Sequence, residues 1–138
     1  MKNDYRDFMK AFVLAAGEST RLRPLTIETP KSLLQVRGKP ILDYILDALS
    51  SCGIKDITVL VGYKKEKIMD HYGNGLKKGV RLTYVVQEKR EGTASAVGYA
   101  EKTMDGPFVC INGDVLVSAQ DIAQMITLFE KTGKTVMG

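Results

Sequence analysis

The 138-residue chain has no tryptophan, a single histidine and two cysteines. One histidine and two scattered cysteines give no Cys or His spacing of the metal-binding kind. Cys52 and Cys110 lie far apart, and read as buried, reduced thiols and not as a disulfide framework. No apolar stretch approaches the roughly 18 residues of a membrane helix. Met1 to Lys10 is mixed in charge and has no apolar centre, so it does not have the pattern of a secretory signal. The cytoplasm is the default expectation. An excess of one charge is also missing: 20 basic residues face 16 acidic ones, a net charge of +4. That balance suits small anionic partners and is too mild to argue for nucleic acid. The clusters Lys64-Lys65-Lys67 and Lys77-Lys78 read as solvated surface. There is no G-x(4)-G-K-[ST] phosphate loop. Gly73-Asn74-Gly75-Leu76-Lys77-Lys78-Gly79 misses a dinucleotide fingerprint by one residue and follows a polar helix where a strand is required.

The chain does contain short apolar runs that alternate with helical patterns. Ala11 to Ala16 is unbroken apolar sequence ended by Gly17, the pattern of a fully buried strand. Pro40 opens a helix with Ile41, Ile45, Ala48 and Leu49 on one face, stopped by Gly53. Ile57 to Val61 is a β-branched run closed by Gly62. A short polar helix over Lys64 to Tyr72 follows, then a glycine-punctuated loop. Val80 to Val86 is a third strand, ending at Gln87. Gly92 leads into a helix expected to run through Met104. Pro107 to Ile111 is a fourth strand, closed by Asn112-Gly113-Asp114. Ser118 and Asp121 form a capping box for a helix striped with Ile122, Met125, Ile126 and Phe129 and ended by Gly133. Thr135-Val136-Met137 reads as the start of a further strand. His71 reads as surface and Tyr63 as structural. Strands alternating with helices imply one α/β domain, a mostly parallel sheet with helices on both faces. In such folds the loops after the strands carry function. Here those loops follow Ala16, Val86 and Ile111.

The first loop is the most informative. Small residues at Ala15, Ala16 and Gly17 let a ligand approach the backbone, and Arg21, Arg23 and Lys31 supply cations suited to phosphate oxygens. The stretch L-A-A-G-x-x-T-R-L-R-P-L-T, followed by T-P-K-S-L, resembles the signature of the sugar-1-phosphate nucleotidylyltransferases. Gln87 with Gly92-Thr93-Ala94 resembles a second motif of that family, Q-x(4)-G-T-A-x-A. Ser19 stands where many members have glycine. The resemblance runs from about Met9 onward, which leaves residues 1–8 as an N-terminal extension. It covers only the N-terminal part of the family's domain. It implies a Rossmann-like three-layer α/β/α nucleotidyltransferase fold, truncated at the C-terminus.

The implied reaction is attack of a sugar-1-phosphate oxygen on the α-phosphorus of a nucleoside triphosphate, with loss of pyrophosphate. The nucleophile is already an anion, so positioning and charge neutralisation are the catalytic tasks. By resemblance, Arg21 and Lys31 contact the phosphates, and Leu14, Ala15, Ala16 and Gly17 meet the nucleoside through backbone groups. Gln87, Gly92 and Thr93 belong to the base and nucleotide site. The Gln87 amide offers a donor and an acceptor that can pair with a pyrimidine edge, which favours UTP or dTTP. Asp114, after an apolar strand, is an oxygen donor for Mg²⁺. The expected partners are a nucleoside triphosphate and a sugar 1-phosphate, with no nucleic acid and no membrane, and a homo-oligomer remains open. Guanylyl transfer to mannose 1-phosphate, cytidylyl transfer to a phospho-alcohol, and a non-catalytic nucleotide-binding module are the alternatives.

Overall fold

The structure is a computed structural model and describes residues 9–88 and 92–136. In chain order its elements are β1 (Lys10–Ala15), β2 (Gln35–Val36), β3 (Lys39–Pro40), α1 (Ile41–Ser51), β4 (Asp56–Val61), α2 (Lys65–Tyr72), β5 (Arg81–Val86), α3 (Thr93–Gly98), β6 (Phe108–Asn112) and α4 (Ala119–Thr132). The main sheet has the order β5-β4-β1-β6, and every pairing in it is parallel. β1 lies between β4 and β6, which explains its unbroken apolar sequence: it is covered on both faces and paired on both edges.

Side chains along β1 alternate between two cores, as strand geometry requires. Ala11, Val13 and Ala15 point to the larger core, together with Ile57, Val59 and Val61 of β4. There they meet Leu42, Ile45, Leu46 and Leu49 of α1, Ile68 of α2, and Ile122 and Ile126 of α4. Phe12, Ala16 and Leu60 point the other way, onto Ala96 of α3 and Ala100 just after it. The three layers expected from the alternation of strands and helices are therefore present, with unequal helix layers.

Four local readings change. The helix expected from Gly92 through Met104 is α3 followed by a 3₁₀ turn over Tyr99–Lys102. Gly98 sits at the join, where glycine weakens an α-helix. The pair β2 and β3 is an antiparallel hairpin that the sequence did not announce; Arg37 and Gly38 form its turn, both at positive φ. Cys110, read as buried, is exposed, because β6 is the border strand of the described sheet. Cys52 is half-buried and its thiol donates to the Ala119 carbonyl at 3.1 Å; the two cysteines form no disulfide. Thr135 and Val136 carry no strand, and Met137 of that expected strand lies outside the described residues, as does the extension over residues 1–8. The capping box at Ser118 and Asp121 forms as expected.

Candidate active site

The register brings the strand ends level. Leu14 of β1 pairs with Leu60 of β4 and with Asn112 of β6, and Val61 pairs with Val86. All four strands run the same way, so Gly17, Gly62, Gln87 and Asp114 emerge at one edge of the sheet. From β1 the chain builds outward to β4 and β5, then returns to place β6 on the other side of β1. The reversal makes a switch point between β1 and β6, where open α/β sheets form their ligand crevice.

A cleft of about 290 Å³ lies there. Its lining includes Leu14, Ala15, Ala16 and Gly17 from the first loop and Lys31 and Ser32 from the turn after Pro30. Gln87, Gly92 and Ala96 come from the second motif, and Asn112, Gly113 and Asp114 from the third. Three segments separated by many residues in sequence thus share one cavity. A larger open depression lies along α4, between Gln120 and Lys131, and no motif residue lines it.

The floor of the cleft depends on Gly113. Its N–H donates to the Leu14 carbonyl at 2.7 Å. A Cβ on Gly113 would stand 2.8 Å from that same oxygen and 3.1 Å from the Ala15 Cβ. Only glycine lets the β6 loop lie against the end of β1, and that contact sets where Asp114 emerges.

Charge in the cleft is concentrated in one pair. Lys31 Nζ donates to Asp114 Oδ2 at 3.0 Å, joining residues 83 positions apart. Both side chains are partly exposed, so each can reach a ligand in the cleft. The expected cation and the expected metal ligand thus neutralise each other when nothing else is bound. Asp114 is a lone carboxylate, and no cluster of three or more metal-type side chains exists among the described residues. That donor set fits Mg²⁺, which is commonly held by one or two carboxylates plus substrate phosphates.

The other expected residues are less concentrated. Arg21 is exposed and stands outside the cleft lining, on a 3₁₀ turn over Thr20–Leu22. Arg23 pairs with Glu18 at 2.7 Å within the same loop, which gives it a structural task. Thr93 opens α3 directly after Gly92. Ser19 lines the cleft in the left-handed conformation, φ 53°, that glycine adopts freely. Sequence reasoning passed over Ser32: it lines the cleft, and its buried hydroxyl has no partner among the described residues. A buried hydroxyl without a bond is a group that a ligand or a water can satisfy. No sequence signal marks that residue beyond its place beside Lys31.

A parallel sheet with a glycine-floored crevice at its switch point, lined by a small-residue loop and one cation–carboxylate pair, defines a Rossmann-like α/β protein with its candidate site at the strand ends. The chain belongs to the nucleotidyl transferase family, whose model matches residues 10–138. It is 44% identical over 111 residues to the UTP–glucose-1-phosphate uridylyltransferase AglF of Haloferax volcanii, covering 80% of this chain and 45% of that protein. It is 41% identical over 107 residues to a glucose-1-phosphate thymidylyltransferase of Streptomyces antibioticus, covering 77% of this chain and 30% of the other. The solved structure of a UDP-glucose pyrophosphorylase complexed with UDP-glucose superposes with a TM-score of 0.80 at 25% identity, covering 91% of this chain and 54% of that one. The resemblance read from the first loop is borne out at the level of the family. The chain spans about half the length, or less, of these relatives. No described helix is long and apolar enough to cross a membrane.

Proposed function

We propose that this chain forms the nucleotide-binding part of an enzyme that transfers a nucleotidyl group from UTP or dTTP to a sugar 1-phosphate. The products are a nucleoside diphosphate sugar and pyrophosphate. The observation that carries the reading is the cleft itself: Leu14 to Gly17, Gln87 with Gly92, and Lys31 with Asp114 converge on one cavity at the switch point. A uridylyltransferase and a thymidylyltransferase among the relatives support a pyrimidine base, in line with the Gln87 amide.

In this reading the exposed backbone at Ala15 to Gly17 seats the nucleoside, and Gln87 meets the base edge. Lys31 leaves Asp114 and turns to the phosphates, which removes part of the repulsion between the incoming sugar phosphate and the triphosphate. Two like charges in contact at an intermediate dielectric repel by about 4 kcal/mol. Arg21 is carried on the loop beside the cleft and adds a planar fork for phosphate oxygens. Asp114 would hold Mg²⁺, which when bound supplies further neutralisation of phosphate charge. Because the chain spans about half of its relatives or less, a second reading has support: nucleotide binding without turnover in this chain alone.

Thermal unfolding with UTP, dTTP, GTP, CTP and ATP, each with and without Mg²⁺, tests both. A ligand at about 100 times its Kd adds roughly 2.7 kcal/mol, a Tm rise of several degrees. UTP or dTTP should stabilise selectively and more with Mg²⁺. Equal shifts with all five would remove the base assignment, and no shift with any would remove the nucleotide site from this chain. Pyrophosphate release on adding glucose 1-phosphate then separates transfer from binding.

A further inference from the structure

The Gly62-Tyr63 turn at the end of β4 touches the first loop at both of its ends. At the start, the Tyr63 N–H donates to the Ala16 carbonyl at 3.2 Å. At the return, the Tyr63 hydroxyl lies 2.8 Å from the carbonyls of both Thr26 and Ile27 and donates between them. Gly62 is pressed against the same strand end: a Cβ there would stand 3.1 Å from the Ala16 oxygen, 3.2 Å from the Ala16 Cβ and 3.4 Å from the Gln87 oxygen. Ala16 and Gln87 both line the cleft.

The loop is closed from inside by Thr26. This residue is buried, and its hydroxyl donates to the Ser19 carbonyl at 2.9 Å. Ser19 is the residue held at positive φ, a conformation that persists only where the surroundings fix it. The same Ser19 carbonyl accepts from the Leu22 N–H at 3.0 Å, at the start of the turn that carries Arg21. A chain of bonds therefore runs from Tyr63 to Thr26, to Ser19, and to the turn of Arg21. The sheet beneath is buried and paired, while the turn from Thr20 to Leu25 is largely exposed.

We propose that Tyr63 is a positioning residue: through Thr26 it fixes the loop of residues 17–27, so that Arg21 and the backbone at Gly17 are preset for a nucleoside triphosphate. The inference rests on the nucleotide reading of the cleft for its consequence, though not for its geometry. Tyr63 touches no reacting atom in this scheme and acts through the loop.

Two readouts test it on the full 138-residue chain. The first is limited trypsin digestion of the empty protein, following cleavage of the Arg21–Leu22 bond by mass spectrometry. Tyr63→Phe keeps the ring and removes the hydroxyl, and should cut about three- to tenfold faster, the factor that a lost hydrogen bond implies. Thr26→Val should do the same, and Thr26→Ser, which keeps the donor, should cut near the parent rate. Ile126→Val, which trims the distant core, is the control for general destabilisation and should leave that bond's cleavage unchanged. The second readout is calorimetric titration with UTP and Mg²⁺, in which Tyr63→Phe and Thr26→Val should weaken binding by a similar factor and Thr26→Ser should not. Parent-like cleavage in Tyr63→Phe would overturn the proposal, as would faster cleavage with unchanged UTP affinity. If the parent chain binds no nucleotide, the functional reading fails on its own, and trypsin alone decides whether Tyr63 holds the loop.

Discussion

A single carboxylate, Asp114, carries the metal assignment, and its surroundings decide what removing it should do. It pairs with Lys31 across a partly exposed 3.0 Å contact. Exposed pairs of this kind contribute about 0–1 kcal/mol to folding. Asp114→Ala should therefore leave the Tm close to that of the parent. It should nonetheless abolish the Mg²⁺-dependent part of nucleotide binding, since Asp114 is the only carboxylate lining the cleft among the described residues and Mg²⁺ is bound with few protein ligands. Electron paramagnetic resonance with Mn²⁺ as the probe gives a reading independent of turnover: UTP should recruit Mn²⁺ to the parent and not to the variant. Equal recruitment would place the metal elsewhere. Lys31 also shows what one sequence can and cannot reveal about a residue. Its candidacy for phosphate contact was legible from Pro30-Lys31 in its motif. That it would rest on Asp114 was not, because the pair joins positions 83 apart and exists only once β1 and β6 lie side by side.

The elements were largely legible for a plain reason: each strand of the main sheet is a short, mostly apolar run ended by a polar or glycine residue, and each long helix has one apolar face. α1 shows both the reach and the limit of that pattern. Ile41, Ile45, Ala48 and Leu49, placed on one face of the helix by their spacing, are buried, and Leu42 and Leu46 widen that face beyond that spacing. Its acidic face does more than meet solvent. Asp43 and Asp47 gather Lys78, at 3.4 and 2.8 Å, and Asp47 also takes Lys39 from the β3 strand, while the Tyr72 hydroxyl donates to Asp43. This network ties α1 to the hairpin and to the α2–β5 connection, and Lys78 was read as mere solvated surface. The hairpin itself was missed because its Arg37-Gly38 turn lacks the Asn-Gly or Asp-Gly pair that marks such turns. Burial raises the Asp47 carboxyl, but hydrogen bonds from Lys39 and Lys78 and their charges outweigh it and hold it below the ordinary value of 3.8. A carboxyl lowered in the folded state stabilises the fold above its unfolded value, and that contribution is lost as pH falls through the folded value. The network is partly exposed, so the amount is modest, about 0.5–1 kcal/mol. Between pH 6 and a pH below about 4 the parent should lose more stability than Asp47→Asn does. Chemical unfolding at the two pH values checks it; equal losses would leave Asp47 without a stabilising role.

At the scale of the whole molecule, the two helix layers hold the sheet unequally. On one side α1, α2 and α4 bring long aliphatic side chains, among them Leu42, Ile45, Leu46, Leu49, Ile68 and Ile126, onto β1 and β4. On the other side, among the described residues, the buried helix contacts are Ala96 and Ala100, set against Phe12, Ala16 and Leu60, with Tyr99 and Met104 only partly buried beside them. Each buried CH₂ contributes about 0.8 kcal/mol, so alanines hold a layer far more weakly than leucines do. The helix on that side is also short, six residues of α3 before a 3₁₀ turn, with Gly98 at the join. This thin layer is the one that carries Gly92 and Ala96 into the cleft. In the proposed reading, small residues there allow a ligand close approach at a cost in packing. Stability should therefore be uneven: the thin layer opens locally while α1 and β1 stay closed. Hydrogen exchange of the empty chain should show amides of Ser95 to Lys102 exchanging at least about tenfold faster than those of Ile45 to Leu49. UTP with Mg²⁺ should then slow the first set and scarcely affect the second, since a ligand seated against Gly92 and Ala96 adds the contacts that the alanines do not supply. Uniform protection in both segments would mean that the molecule opens as one unit. Protection by UTP confined to α1 would place the nucleotide on the wrong side of the sheet for the cleft between β1 and β6.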